Sequence, residues 1–140
     1  MKIGFTGTQK GMTNQQAREL IEYLLELHTL NDAQEFHHGD CIGADAHFHH
    51  ILMKFMKYEA YDCIYIHPPI DASKRAWCFS KHIFTPKPYI ERNHDIVDAV
   101  DILIATPKTR REEVRSGTWA TVRYARNSGK ELHVIYPKDD

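Results

Sequence analysis

Three glycine-bearing loops hold the residues best suited to chemistry. They are Gly4-Phe5-Thr6-Gly7-Thr8, Gly39-Asp40-Cys41-Ile42-Gly43-Ala44-Asp45 and Arg115-Ser116-Gly117-Thr118-Trp119, and each follows a strand-like run and opens a helix-like one. Glycine lets backbone approach a ligand closely, and a helix N-terminus offers unpaired N–H groups and partial positive charge, so phosphate is a natural guest. Gly7, Thr8, Gly39, Gly43, Ser116, Gly117 and Thr118 are therefore candidate ligand contacts, with Arg115 beside them. For any one loop the alternative is a plain turn with a helix cap. The three together favour a nucleotide-like ligand. None matches G-x-G-x-x-G or the phosphate loop ending in Gly-Lys-Ser/Thr, so neither nicotinamide hydride transfer nor ATP hydrolysis is expected.

Asp40 and Asp45 flank the second loop. Carboxylates at strand ends accept hydrogen bonds from vicinal ribose hydroxyls. The alternative for Asp45 is simple complementarity to its helix N-terminus. Arg92, followed by Asn93, is the cation best placed to grip phosphate with two bonds; otherwise it pairs with Glu91, Asp95 or Asp98 on a solvated helix face. Trp119 and Trp77 offer flat faces for a base, with core packing the competing role for Trp119.

Five histidines, His37, His38, His47, His49 and His50, crowd fourteen residues that also hold Asp40 and Asp45. Asp45 and His49 could share a helical face near His38, an arrangement compatible with Zn²⁺ or Ni²⁺. Yet His47, His49 and His50 fan around the helix and cannot converge on one ion, and no H-x-x-x-H pair is present. No metal site and no cofactor are expected.

These residues need strands and helices to hold them. Lys2–Thr6 reads as a strand, and Thr13 with Gln16 forms a capping box before Leu20, Ile21, Leu24, Leu25 and Leu27 recur at helical spacing. Glu35–His38 is a weaker strand, and a helix is predicted from about Ala44 to Tyr58. Cys63–His67 is a strand closed by Pro68-Pro69. Residues 70–88 show no sustained period, which in a small domain marks a functional or misread segment. A helix over Tyr89–Val100, a strand over Asp101–Ala105, a helix from about Thr118 to Asn127 ended by Gly129, and a strand over Leu132–Tyr136 complete the pattern. Alternating strands and helices predict one α/β Rossmann-like domain over residues 1–140. It would have a mostly parallel sheet of about five strands, helices on both faces, and the ligand beyond the strand carboxyl ends.

Composition narrows the class. Lys plus Arg total 18 against 19 Asp plus Glu, giving a formal charge of -1, so long nucleic acid is a poor first choice of partner. Three cysteines without a CxxC pair suit a reducing cytoplasm, no secretory stretch opens the sequence, and no segment reaches bilayer-spanning length, so no membrane partner is expected.

The loop His38-Gly39-Asp40-Cys41-Ile42-Gly43-Ala44-Asp45, the Glu91-Arg92-Asn93 stretch before the strand ending Ala105-Thr106-Pro107, and Ser116-Gly117-Thr118-Trp119 before a helix occur in one order. Together they resemble the SLOG superfamily, which includes LOG phosphoribohydrolases, YpsA-like proteins and the DNA-processing protein A family. The similarity runs from Gly4 to Pro137 and is nearest the small YpsA-like branch. The resemblance implies a nucleotide-binding domain, a ligand near the Arg92-Asn93 pair, and homo-oligomers. Some LOG members hydrolyse the N-glycosidic bond of a nucleoside 5′-monophosphate; other relatives sense nucleotide signals, including ADP-ribose-derived ones. The LOG pattern Pro-Gly-Gly-x-Gly-Thr-x-x-Glu is altered here, with Thr121 at the position of the acid, and threonine supplies no carboxylate. Asp45 or Glu91 would have to serve instead. The expectation is a nucleotide-derived ligand, with cleavage or transfer at an N-ribosidic bond. The alternatives are a non-catalytic sensor or sequestering module, and an oligomeric interaction protein with a vestigial pocket.

Overall fold

The computed structural model describes residues 1–27 and 35–138. It is built on one six-stranded sheet in the order β4-β3-β2-β1-β5-β6, and every pairing is parallel. The strands are β1 (Lys2–Gly7), β2 (Glu35–His38), β3 (Ile64–Ile66), β4 (His82–Ile83), β5 (Ile102–Thr106) and β6 (Glu131–Val134). The helices are α1 (Asn14–Glu26), α2 (Ala44–Met56), the short α3 (Ala60–Cys63), α4 (Tyr89–Ala99) and α5 (Gly117–Asn127). The sheet has six strands where five were expected. The additional one, β4, is two residues long and lies inside the 70–88 connection, too short to show any alternation.

β5 shows why this sheet is buried on both faces. Ile102 and Ile104 point to one side and Leu103 and Ala105 to the other, and all five of its residues are buried. The first side is the larger core, where Ile3, Phe5, Phe36 and Ile64 meet Leu20 and Leu24 of α1 and Phe48, Ile51 and Leu52 of α2. On the second side Leu103 and Ala105 meet Ile96 and Val97 of α4 and Trp119, Val122 and Ala125 of α5. Thr13 caps α1 with the reciprocal bonds of a capping box, Gln16 N to Thr13 Oγ1 and Thr13 N to Gln16 Oε1, both at 3.0 Å. Gly129, at φ +73°, follows the end of α5 as expected of a C′ glycine.

The chain moves outward from β1 through β2 and β3 to β4, then returns over α4 to β5 on the opposite side of β1. The switch in direction leaves a crevice beyond the carboxyl ends of β1 and β5, the place where open α/β sheets bind ligands. Residues 67–88 are tied down despite their irregular sequence. Ile42 N donates to Lys74 O, Ala76 N to Asp40 O and Phe84 N to Ile66 O. Among the described residues no helix is long and apolar enough to cross a membrane.

Candidate functional site

A cleft of about 510 Å³ opens at this crevice. Gly7 and Thr8 enter it from the end of β1, and Gly39 from the end of β2. Asp45 comes from the first turn of α2, and Arg92 and Asn93 from α4. Arg115, Ser116, Gly117 and Thr118 close the far wall at the start of α5. Ten of the residues named from sequence thus line one cavity. Four do not: Asp40, Gly43, Glu91 and Trp119.

The loop between β2 and α2 explains how Asp45 reaches the floor. Gly43 sits at φ +94°, and a Cβ there would lie 2.3 Å from Gln9 O, so only glycine lets this turn pass the first loop. The passage is sealed by Ala44 N donating to Thr8 O at 3.0 Å. Gly39 is needed for a different reason: a Cβ would meet Arg92 Nη1 at 2.5 Å and Asp45 Oδ2 at 3.0 Å. Asp45 is 5% exposed; its Oδ2 accepts the Cys41 N–H at 3.1 Å, while Oδ1 has no hydrogen-bond partner among the described residues. Burial pushes its pKa up to about 6 against the pull of Arg92 and the Cys41 N–H. A carboxyl that exchanges a proton near neutrality and keeps one oxygen unengaged is suited to general acid or base work.

Arg92 is buried and largely committed. Nε donates to Asn93 Oδ1 at 2.7 Å, Nη1 to Gly39 O at 2.5 Å and His67 O at 3.1 Å, and Nη2 to Cys41 Sγ at 3.5 Å. Of its five N–H groups, one on Nη2 has no partner among the described residues. The expected two-pronged grip on phosphate is therefore not open to it. Arg92 instead ties the ends of β2 and β3 together and supplies positive charge beside Asp45.

The opposite rim is cationic. Ser116 caps α5, its Oγ accepting Trp119 N at 3.2 Å, and Gly117 and Thr118, at the first helical positions, line the cleft. Lys10, Lys108 and Arg115 stand around them, with Glu113 as the one acid of that rim among the described residues. Lys10, Lys108, Glu113 and Tyr89 were not singled out from sequence. Lys10 lies two residues past the first glycine-bearing loop, and Lys108 and Glu113 between β5 and Ser116, so nearness to those loops was the signal available for them.

The four absent residues have other occupations. Asp40 is fully buried, with Oδ2 accepting Arg75 Nε at 3.0 Å and Oδ1 accepting Cys78 N at 2.9 Å. Glu91 is exposed on α4. Trp119 packs in the core against Ala105 and Val122, its Nε1 donating to Thr109 Oγ1 at 3.3 Å. Thr121 is buried and donates back to Gly117 O at 2.9 Å. Trp77 is 63% exposed at φ +59°, with the Arg75 guanidinium 4.0 Å above its ring.

Four histidines form buried pairs, while His47 and His50 lie exposed on α2. His38 Nδ1 accepts Asp40 N at 2.9 Å and its Nε2 meets His49 Nδ1 at 2.9 Å; His37 Nδ1 meets His67 Nε2 at 2.7 Å. Burial depresses all four, His49 to about 4 and His67 to about 3. Among the described residues no group of three or more His, Cys, Asp or Glu side chains is placed to hold a metal ion.

Sheet order, crevice and lining define an α/β domain with a Rossmann-like sheet and a carboxyl-end cleft that has an acidic floor and a cationic rim. No protein-family model matches the chain, and no match emerges among the curated proteins or the solved structures.

Proposed function

We propose that the cleft binds a phosphorylated, nucleotide-derived small molecule and acts at its N-ribosidic bond. One observation carries the reading: a buried Asp45 oxygen without a partner on the floor, across from a helix N-terminus ringed by Lys10, Lys108 and Arg115. The rim suits phosphate, through the Gly117 and Thr118 amides and the three cations. The floor suits the ribose and the leaving nitrogen. In the hydrolytic form, protonated Asp45 gives its proton to that nitrogen as the C1′–N bond breaks. A water oxygen bonds to C1′ and its released proton restores Asp45, so free base and ribose phosphate leave. The order of the three loops, which resembles the SLOG superfamily, supports the same reading, as do three free thiols suited to a reducing cytoplasm.

A second reading, a sensor without turnover, is favoured by Thr121. The position of the LOG acid is buried here and bonded into its own helix. The test is incubation with the common nucleoside 5′-monophosphates and ADP-ribose, followed by chromatography for free base and by thermal melting. Base release by the wild type and its loss in Asp45→Asn support turnover. A melting shift without base supports the sensor, and neither effect defeats both.

A further inference from the structure

On the second face of the sheet, beyond the reach of the cleft's rim, a row of rings runs across three strands. His37, Tyr65 and His82 are register partners on β2, β3 and β4, with centroids 4.9 and 4.1 Å apart. His67 follows β3, and the half-exposed Phe84 ring lies 4.5 Å from it. Beside this pair is a second cavity of about 350 Å³, lined by His67, Phe84, Thr85, Lys87, Arg92 and Asp95. Arg92 belongs to both cavities.

A fixed hydrogen-bond relay leads into it. Glu35 Oε1 lies 2.7 Å from His37 Nε2, and His37 Nδ1 lies 2.7 Å from His67 Nε2. A carboxylate only accepts, so His37 carries its proton on Nε2 and its Nδ1 accepts. His67 must then donate from Nε2, which leaves its Nδ1 with a lone pair and no partner among the described residues. Burial opposes ionisation of Glu35, but His37 and Lys2 outweigh it, and the pKa falls below the ordinary value. His67 faces His37, Asp95, Arg92 and Lys87, and burial above all keeps its ring neutral. The acceptor therefore persists across the physiological range.

We propose that this cavity is a binding site for a planar cyclic amide, such as a pyrimidine or purine lactam, separate from the cleft. The lactam N–H donates to His67 Nδ1, its neighbouring carbonyl accepts from Lys87, and its ring lies against Phe84. Lys87 Nζ gives one hydrogen to Asp95 at 2.7 Å and keeps two for a ligand. A free base and the base of a nucleoside present the same edge, and uridine beside uracil distinguishes the two sources.

The experiment is titration of the ¹⁵N-labelled protein with uracil, uridine, hypoxanthine and 1,3-dimethyluracil to about 10 mM, reading histidine side-chain nitrogens and backbone amides. Before titration His67 is expected as the Nε2–H tautomer. Uracil and hypoxanthine should shift His67 Nδ1, and 1,3-dimethyluracil, which has no N–H, should not. Binding of uridine along with uracil assigns the site to nucleosides, and of uracil alone to free bases; either supports the proposal. Glu35→Gln touches no ligand but lets the relay run in either direction. It is expected to weaken uracil about five- to tenfold and to narrow its advantage over 1,3-dimethyluracil. An Nδ1–H tautomer of His67, equal binding of the methylated and parent bases, or shifts at Thr8 and Gly117 without His67 overturn the proposal, as does the absence of any shift. Base release from nucleotides plays no part in the readout, so failure here is distinct from failure of the function proposed for the cleft.

Discussion

Arg75 reaches back 35 residues to place Nε 3.0 Å from Oδ2 of Asp40, a side chain with no exposed surface. The same carboxylate accepts Cys78 N, and the Asp40 carbonyl accepts Ala76 N. Arg75 and Ala76 before Trp77 and Cys78 after it are thus held by one aspartate, and the positive-φ backbone of Trp77 sits inside that clamp. Arg75→Met leaves the carboxylate buried without its cation and is expected to cost about 3–5 kcal/mol in urea unfolding at pH 7. A loss under about 1 kcal/mol would show that Asp40 is not bound into the structure in this way.

Asp45→Asn should make the protein more stable, at the expense of the chemistry proposed for the cleft. The folded pKa, about 6, lies above the ordinary value of 3.8. Stability linked to this group is therefore complete below pH 3.8 and is lost as pH rises through 6. At pH 7.5 the amide is expected to gain up to about 3 kcal/mol over wild type, and the advantage should vanish near pH 4. Urea midpoints at both pH values check it.

The four buried histidines act in the opposite sense. Their folded pKa values lie below 6.5, so the unfolded chain binds more protons and stability falls as pH drops below 6.5 toward 4. Each adds a slope of up to about 1.4 kcal/mol per pH unit, against a single opposing aspartate. Net destabilisation is expected between pH 6.5 and 5, with proton uptake on unfolding measurable by titration calorimetry. Flat stability over that interval would mean the rings are charged or accessible.

Gly43→Ala combines a disallowed φ with a collision against Gln9 O. A cost of about 2–4 kcal/mol is expected, together with weaker ligand-induced melting shifts, because the turn that delivers Asp45 would move. Gly117→Ala is the control. Nothing lies within 4 Å of its added Cβ, so stability should hardly change.

Much of this fold was legible because its strands are apolar runs bounded by turn residues. The runs around Ile3, Ile64 and Ile104 gave strands, and Thr13 with Gln16 announced α1. β4 was invisible, since its two residues, His82 and Ile83, are too few to show an alternating pattern. The cleft was legible as a set of loops, and ten of the named residues meet there. The errors concern partners distant in sequence. Asp40 has the chemistry of a ribose ligand, but Arg75 and Cys78 claim it, and burial is set by tertiary packing. Arg92 has the right charge, but its donors are taken by the Gly39 and His67 carbonyls, which the sequence cannot place beside it.

The position of β1 at the centre of the sheet has a consequence for timing. Ile3 pairs with Ile102, so β1 meets one of its two neighbours only after the 99 residues from Ile3 to Ile102 have been added. At about 5–20 residues per second on the ribosome, that neighbour follows some 5–20 seconds later. Until then the β5-facing edge of β1 is open and the cleft has no far wall. The ligand proposed for the cleft can therefore bind only after synthesis has passed Thr118, and until then an open strand edge is exposed to wrong partners.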